Sequence, residues 1–333
     1  MREIGSEFWL EREPMMLSHD RDGCYALSGR TAIDLIIQDI IRKRPVRNAY
    51  LPAWSCDSMV EPFLARGIQV ELYDMSFDGA LHYYVDTGKK TDIFYVSNYF
   101  GYNNTIDISI INHFKENGSI IIYDKTHSFL MPDNDVKADY SFASIRKWMG
   151  VVAGAVVNGI KDFKLKSYPH LSYKIDAMKM KKNFIDGDKS VEKQEFLDLY
   201  SEFGHHLTKD YCNYEMDDLS YSVYKSEDLG LMSEKRRANA NYLQNNLNIK
   251  YLSPITDKTV PLFVPVFFEN NEQRDVVRKR LKDAQIYCPI HWPKNKLITS
   301  EMQVNLIFDT ELSLICDQRY GIPEMQRIIE TIQ

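Results

Sequence analysis

Five cysteines in 333 residues, Cys24, Cys56, Cys212, Cys288 and Cys316, are too few and too scattered for a disulfide framework. Their number is odd, no two have C-x-x-C spacing, and reduced thiols in a cytoplasmic protein are the expectation. His205 and His206 are neighbours and point apart on a helix, so no metal site is expected. No run of about twenty apolar residues occurs, and residues 1–10 lack the apolar core of a secretory leader, so no membrane partner is expected. Basic charge is not in excess: 41 Lys and Arg stand against 47 Asp and Glu, a net charge of −6. That balance offers nucleic acid no electrostatic footprint. The short basic runs Lys179-Met180-Lys181-Lys182 and Lys235-Arg236-Arg237 read as solvated helix faces. Internal repeats and low-complexity linkers are also missing.

What is present is ordinary globular material, 44% hydrophobic and 26% charged, with many aromatics in 21 Tyr and 16 Phe. The length suits a large domain and a smaller one. A helix opens at Ser28-Gly29-Arg30-Thr31, with an apolar stripe of Ile33, Ile36, Ile37, Ile40 and Ile41. Short apolar runs then alternate with helical patterns. Residues 48–52, 70–73, 92–97 and 120–123 read as strands; 58–66 and 106–116 read as helices. This alternation predicts an α/β domain on a mostly parallel sheet, with ligands beyond the carboxyl ends of the strands. Residues 160–250 are mostly helical, including 190–203 and 233–245. From there a β-rich segment at 260–268, a helix at 271–284, a strand at 286–290 and a last helix at 325–332 suggest a smaller α+β domain. The division is 1–234 and 235–333.

Two segments carry chemistry. The strand Ile120-Ile121-Ile122-Tyr123 ends in Asp124, followed by Lys125-Thr126-His127. The next strand, Asp139-Tyr140-Ser141-Phe142, runs into Ala143-Ser144-Ile145-Arg146-Lys147. Asp124 and Lys147 are 147 − 124 = 23 positions apart, enough for one crossover and one returning strand. A carboxylate and a lysine at one sheet edge are what pyridoxal 5'-phosphate chemistry needs. The lysine forms a Schiff base, and the carboxylate keeps the pyridine nitrogen protonated.

These segments, with others in the same order, resemble the fold-type I PLP-dependent aminotransferases, and within them the DegT/DnrJ/EryC1/StrS group of sugar aminotransferases. Ser28-Gly29-Arg30-Thr31-Ala32 is similar to the group's phosphate-holding helix start, where free N–H groups and the helix dipole favour an anion. Arg30 stands where the group usually has Thr. Leu51-Pro52-Ala53-Trp54 resembles the segment whose aromatic stacks on the pyridine ring, which makes Trp54 the candidate. Asn98-Tyr99-Phe100-Gly101 looks like the aromatic-Gly loop at the next strand end, with Asn98 and Tyr99 as substrate candidates. Asp124 and His127 fit the group's Asp-x-x-His element. Lys147 fits Ser-x-x-Lys through Ser144; alignment through Ser141-Phe142 would put the lysine at position 146, where the chain has Arg. Ser141 and Ser144 are both phosphate-contact candidates. His291 and Trp292, in a segment similar to the group's C-terminal domain, are candidates to close over substrate.

The resemblance implies a PLP-binding large domain of mostly parallel sheet flanked by helices, plus a smaller C-terminal domain. It implies transfer of an amino group, from glutamate, to a keto sugar or related acceptor in surface-polysaccharide or similar sugar biosynthesis. The implied partners are a small-molecule amino donor, a keto acceptor and a second copy of the chain. One departure concerns the acceptor: the group's Gly-aromatic-Asn-x-Arg motif, which reaches the partner subunit's site, is absent where the chain has Ser220-Tyr221-Ser222-Val223-Tyr224-Lys225-Ser226. Two alternatives stand beside transamination: a PLP-dependent dehydratase or lyase of the same fold, and a non-catalytic binding or regulatory protein.

Overall fold

A computed structural model describes residues 2–10, 21–132 and 135–333. In chain order the first elements are β1 (Ile4–Gly5), β2 (Cys24–Ala26), α1 (Gly29–Lys43), β3 (Asn48–Pro52), α2 (Asp57–Ala65), β4 (Gln69–Phe77) and β5 (Leu81–Tyr84). Then come β6 (Ile93–Ser97), α3 (Ile108–Glu116), β7 (Ile120–Asp124), β8 (Tyr140–Ser144), a 3-10 turn (Ile145–Lys147) and β9 (Ala155–Asn158). Four helices follow: α4 (Leu171–Ile185), α5 (Lys193–Lys209), α6 (Asp218–Ser226) and α7 (Leu229–Asn246). The chain ends with β10 (Lys250–Tyr251), β11 (Val264–Phe267), α8 (Asn271–Asp283), β12 (Ile286–Tyr287), α9 (Val304–Thr310), β13 (Glu311–Leu314) and α10 (Ile322–Ile332).

The main sheet has eight strands in the order β2-β9-β8-β7-β6-β3-β4-β5. Its five inner strands, β8, β7, β6, β3 and β4, are parallel. Antiparallel pairing is confined to the flanks, β5 on β4 at one edge and β9 then β2 at the other. The parallel interior follows from composition: all five residues of β6 are buried, as a strand covered by helices on both faces requires. On one face α1 and α2 bring Ile33, Ile36, Ile37, Ile40 and Phe63 against the sheet. On the other, Phe94, Phe114 and Tyr73 pack together, and α9 adds Ile307 and Phe308. Ile41, read as part of the α1 stripe, is instead 42% exposed. It lies about 80° around the helix from Ile33, at the rim of the buried face.

A three-stranded antiparallel sheet, β10-β11-β13, supports a second apolar cluster that includes Leu243, Leu281, Leu314, Met325 and Ile328. Ile4 joins this cluster through parallel pairing of β1 with β12, so the N-terminal segment reaches across to the C-terminal part of the chain. The expected division at 234/235 falls inside α7.

Register places the chemistry. Ser97 lies opposite Asp124, and Asp124 opposite Phe142, so β6, β7 and β8 end side by side. The loops leaving them carry Asn98, His127 and Lys147.

Candidate active site

Asp124 closes β7 and is itself buried. Its Oδ1 accepts the Thr126 N–H at 2.8 Å, an Asx-type turn that folds the chain sharply after the strand. Its Oδ2 accepts the Tyr95 hydroxyl at 2.8 Å from the neighbouring strand. Thr126 ties β7 to β8: its Oγ1 accepts the Ser144 N–H at 3.1 Å, and its carbonyl accepts the Trp148 indole N–H at 2.6 Å. This bracing brings the 3-10 turn over His127, where Lys147 Nζ sits 3.2 Å from Nε2.

Burial sets the electrostatics. It pushes Asp124 above the ordinary carboxylate range, against the opposing pull of Thr126, Tyr95 and the Lys147 charge. It also pulls Lys147 below the ordinary lysine range. His127 is held well below the usual imidazole range by burial first, then by Lys147 and His291. The imidazole is therefore neutral and takes the Lys147 hydrogen bond on Nε2.

Asp124, Thr126, His127, Ser144 and Lys147 line a cavity of about 300 Å³. The start of α1 forms another part of its wall. Ser28 caps that helix, accepting the Thr31 N–H at 3.2 Å, while the N–H groups of Gly29 and Arg30 have no intrahelical acceptor. A Cβ on Gly29 would lie 3.3 Å from Ser144 Cβ, a tight contact, so glycine at position 29 eases the approach of the helix end to the β8 end. Among the described residues, three buried polar atoms of lining residues have no partner: Arg30 Nε, Ser97 Oγ and Asn98 Oδ1. Arg30 otherwise pairs with Glu61 at 3.1 Å. A ligand bearing a phosphate and ring polar atoms suits this wall, since backbone donors, a guanidinium and a serine converge at one end and a carboxylate and a lysine at the other. The residues fit pyridoxal phosphate.

The structure brings together most of the residues singled out from sequence. Gly29, Arg30, Asn98, Tyr99, Asp124, His127, Ser144, Lys147 and Trp292 line the cavity. Three do not. Ser141 lies on the opposite face of β8 from Phe142 and accepts the Asn158 side-chain amide at 3.3 Å. Trp54 is fully buried behind Tyr99, stacked on it at 4.7 Å between centroids and 13° between planes, with its indole N–H donated to the His291 carbonyl at 2.6 Å. His291 is buried beneath Trp292, its N–H donated to Glu311 at 2.7 Å and its Nδ1 2.9 Å from Ser313 Oγ. The tryptophan at the cavity is Trp292, 5.2 Å from His127 between centroids and 5.4 Å from Lys147 Nζ.

Other lining residues were not anticipated. Cys56 takes a place on the wall two positions after Trp54. Thr126 lies inside the Asp-x-x-His element, and Arg146 beside Lys147, so both were within reach of the motif reading. Glu7, Lys174, Tyr200, Phe203 and Gly204 come from the N-terminal segment, α4 and α5, with no local signal. Glu7 accepts Lys174 Nζ at 2.7 Å, and its backbone carbonyl accepts Lys181 Nζ. Lys174, then Arg146 and Lys181, draw the Glu7 carboxyl down to about 2. The stretch 220–226 that departs from the resemblance forms most of α6, where Tyr221 packs edge-on against Tyr25 at 5.0 Å.

No family model matches the chain, and no curated protein does. Solved structures do. Helicobacter pylori PseC, an aminotransferase involved in the biosynthesis of pseudoaminic acid, aligns over 100% of this chain and 98% of its own, with a TM-score of 0.69 and 12% identity. NtdA from Bacillus subtilis, with bound cofactor PMP, aligns over 94% of this chain and 73% of its own, with a TM-score of 0.64 and 16% identity. The sugar aminotransferase CalS13 from Micromonospora echinospora aligns over 93% and 86%, with a TM-score of 0.60 and 12% identity. The chain has the α/β fold of the fold-type I PLP-dependent aminotransferases.

Proposed function

We propose that this chain is a pyridoxal-phosphate-dependent aminotransferase that moves an amino group, from glutamate, to a keto sugar or related keto acceptor in surface-polysaccharide or similar sugar biosynthesis. The observation that carries the reading is the convergence of Asp124, His127 and Lys147 on one cavity facing the α1 N-terminus, in the fold shared with PseC, NtdA and CalS13. Bound there, pyridoxal phosphate supplies an aldehyde that takes up and releases amines and a protonated ring that accepts an electron pair.

The chain's own residues do the rest. The N–H groups of Gly29 and Arg30, the Arg30 guanidinium and Ser144 hold the phosphate. Asp124 holds the proton on the ring nitrogen; a cationic N–H partner also relieves the burial that pushes this carboxyl up. Lys147, its amine eased toward the neutral form by burial, would hold the cofactor at its aldehyde carbon and move the proton at the reacting carbon. Neutral His127 positions that amine through Nε2. Asn98 and Tyr99 border the substrate, and Trp292 covers the cavity, with Trp54 and His291 supporting these walls from behind. Residues 1–234 are assigned to the cofactor-binding domain and 235–333 to the smaller one, on the strength of the separate apolar cluster. Assembly as a homodimer and a cytoplasmic location complete the proposal; five unpaired thiols suit a reducing compartment.

The test is the visible absorbance of wild type and Lys147→Ala with added pyridoxal phosphate, before and after borohydride. Wild type should become permanently labelled on the peptide containing Lys147, and the variant should not. Labelling at another lysine, or none, overturns the assignment.

A further inference from the structure

The His291 ring lines a second cavity, of about 390 Å³, which adjoins the first and shares Glu7, Arg146 and Lys147 with it as common walls. The groups behind the ring form one line. Glu311 opens β13 and is fully buried, and Ser313, two positions on, shares its face of the strand. Ser313 Oγ lies 2.5 Å from Glu311 Oε1 and 2.9 Å from His291 Nδ1. Glu311 Oε2 is taken separately, accepting the His291 backbone N–H at 2.7 Å. With Nδ1 held by Ser313, Nε2 is the ring nitrogen left for the cavity, and it has no hydrogen-bond partner among the described residues.

A serine hydroxyl has one proton, so this line runs in one of two directions. With Glu311 ionised, Ser313 donates to the carboxylate and accepts from His291; the ring proton is on Nδ1, and Nε2 is a bare acceptor. With Glu311 protonated, the proton lies on Oε1, because Oε2 already accepts an N–H. Glu311 then donates to Ser313, Ser313 donates to Nδ1, and the ring proton is on Nε2. Burial favours the second arrangement. It pushes Glu311 up to about 8, against the pull of the His291 N–H, Ser313 and the Arg274 charge. Arg274 is itself bonded to Asp275 and to the Phe308 carbonyl. On the ring, burial and then the Lys147 charge hold His291 well below the usual imidazole range, and the facing His127, 5.6 Å away between centroids, is neutral as well. His291 is therefore a neutral ring, and Ser313 decides which nitrogen carries its proton.

We propose that Glu311, Ser313 and His291 form a proton relay that sets what His291 offers the second cavity: a donor N–H while Glu311 holds its proton, an acceptor nitrogen once Glu311 gives it up. The step balances over three groups. One proton leaves Nε2 for water in the cavity, the Ser313 proton passes to Nδ1, the Glu311 proton passes to Ser313, and a carboxylate remains. Burying a carboxyl with no cation bonded to it is costly. An amide would accept the His291 backbone N–H equally well, so what the carboxyl adds is the capacity to change state. That the Nε2 proton meets an oxygen of the bound substrate rests on the role of Lys147 given above; the relay itself does not.

The test is nitrogen NMR of the protein carrying isotope-labelled histidine, with and without pyridoxal phosphate, titrated from about pH 6 to about pH 10. His291→Gln identifies the His291 resonances by their loss. In wild type Nε2 should carry the proton at the acid end and Nδ1 at the alkaline end, the two shifts exchanging with a midpoint at about 8. In Glu311→Gln an amide N–H replaces the carboxyl O–H toward Ser313, so Nε2 should stay protonated throughout. Ser313→Ala should lose the exchange as well, with folding checked by circular dichroism. One tautomer of wild-type His291 at every pH, an imidazolium, or an exchange that survives in Glu311→Gln overturns the proposal, and the wild-type titration decides even if a variant fails to fold. In steady-state kinetics kcat/KM should fall about tenfold more across this window in wild type than in Glu311→Gln, the loss of one hydrogen bond. Parallel profiles overturn the part of the relay in the reaction. If Lys147 takes no cofactor label while His291 still exchanges, the aminotransferase reading falls and the relay stands; labelling without the exchange keeps that reading and removes the relay.

Discussion

Trp54→Phe separates the two roles open to that residue, cofactor stacking and structural support. Trp54 is fully buried, stacks on Tyr99 and donates its indole N–H to the His291 carbonyl at 2.6 Å. Phenylalanine keeps a flat ring against Tyr99 but removes the donor. Losing the partner of a buried carbonyl costs about 1–3 kcal/mol. The smaller ring leaves a void of a few tens of Å³, and at ~24 cal/mol per Å³ that adds about 1 kcal/mol. The expected destabilisation is therefore about 2–4 kcal/mol, read from denaturant unfolding without cofactor so that ligand linkage does not mask it. Pyridoxal phosphate affinity, titrated through the visible band, should change less than about threefold, because Tyr99 and Trp292 stand between Trp54 and the cavity. A tenfold or larger loss of cofactor affinity with unaltered unfolding would refute this reasoning and return Trp54 to the cofactor.

Two further changes test the cradle and the support beneath Trp292. Gly29→Val places branched methyls against Ser144, where even a Cβ approaches to 3.3 Å; cofactor affinity should drop tenfold or more by visible titration, with helix content unchanged by circular dichroism. Burial pushes the Glu311 carboxyl up to about 8, so the folded protein holds a proton there that the unfolded chain releases at ordinary carboxylate pH. That contribution is fully present below about pH 4.5 and is lost as pH rises through about 8. Glu311→Gln, whose amide oxygen still accepts the His291 N–H, should flatten the fall in unfolding midpoint across this window and be the more stable protein above it.

The legible parts of this chain are those where local pattern and burial coincide. β6 and β7 are covered on both faces, so they appear as apolar runs, and the first polar residue that ends each, Ser97 and Asp124, marks the carboxyl end, with Asn98 next after Ser97. The lysine followed from the same logic, one strand further on. Alternation within β8 also separates the serines: Tyr140, Phe142 and Ser144 share the face turned to α1, and Ser141 takes the other. Beyond a strand end that period-two rule lapses, and so Trp54, past the end of β3, could not be assigned to the wall or to the layer behind it. Antiparallel β2 and β5 were missed because three- and four-residue flanking strands carry too few positions to show a pattern. Glu7 was out of reach for a different reason. Its place beside Lys174 depends on β1 pairing with β12, residues more than 280 positions apart, and no local feature encodes it.

Gly204 shows how such long-range placement can conflict with local preference. It lies well inside α5, the helix that forms a wall of the first cavity, where glycine costs about 0.5–1 kcal/mol relative to alanine. A Cβ at this position meets nothing within 4 Å, so packing does not demand the glycine. Space does: a side chain on this exposed turn projects toward the cavity shared with Tyr200, Phe203 and Leu207. Gly204→Leu should therefore raise unfolding stability by about 0.5–1 kcal/mol, since leucine is a strong helix former and no clash opposes it. It should also raise the KM for the keto substrate severalfold, because α5 forms part of the cavity wall. The gain in stability removes misfolding as an explanation of any loss. Stabilisation with unchanged KM would show that α5 does not border the reacting substrate, and that the glycine is a helix defect with no role in the site.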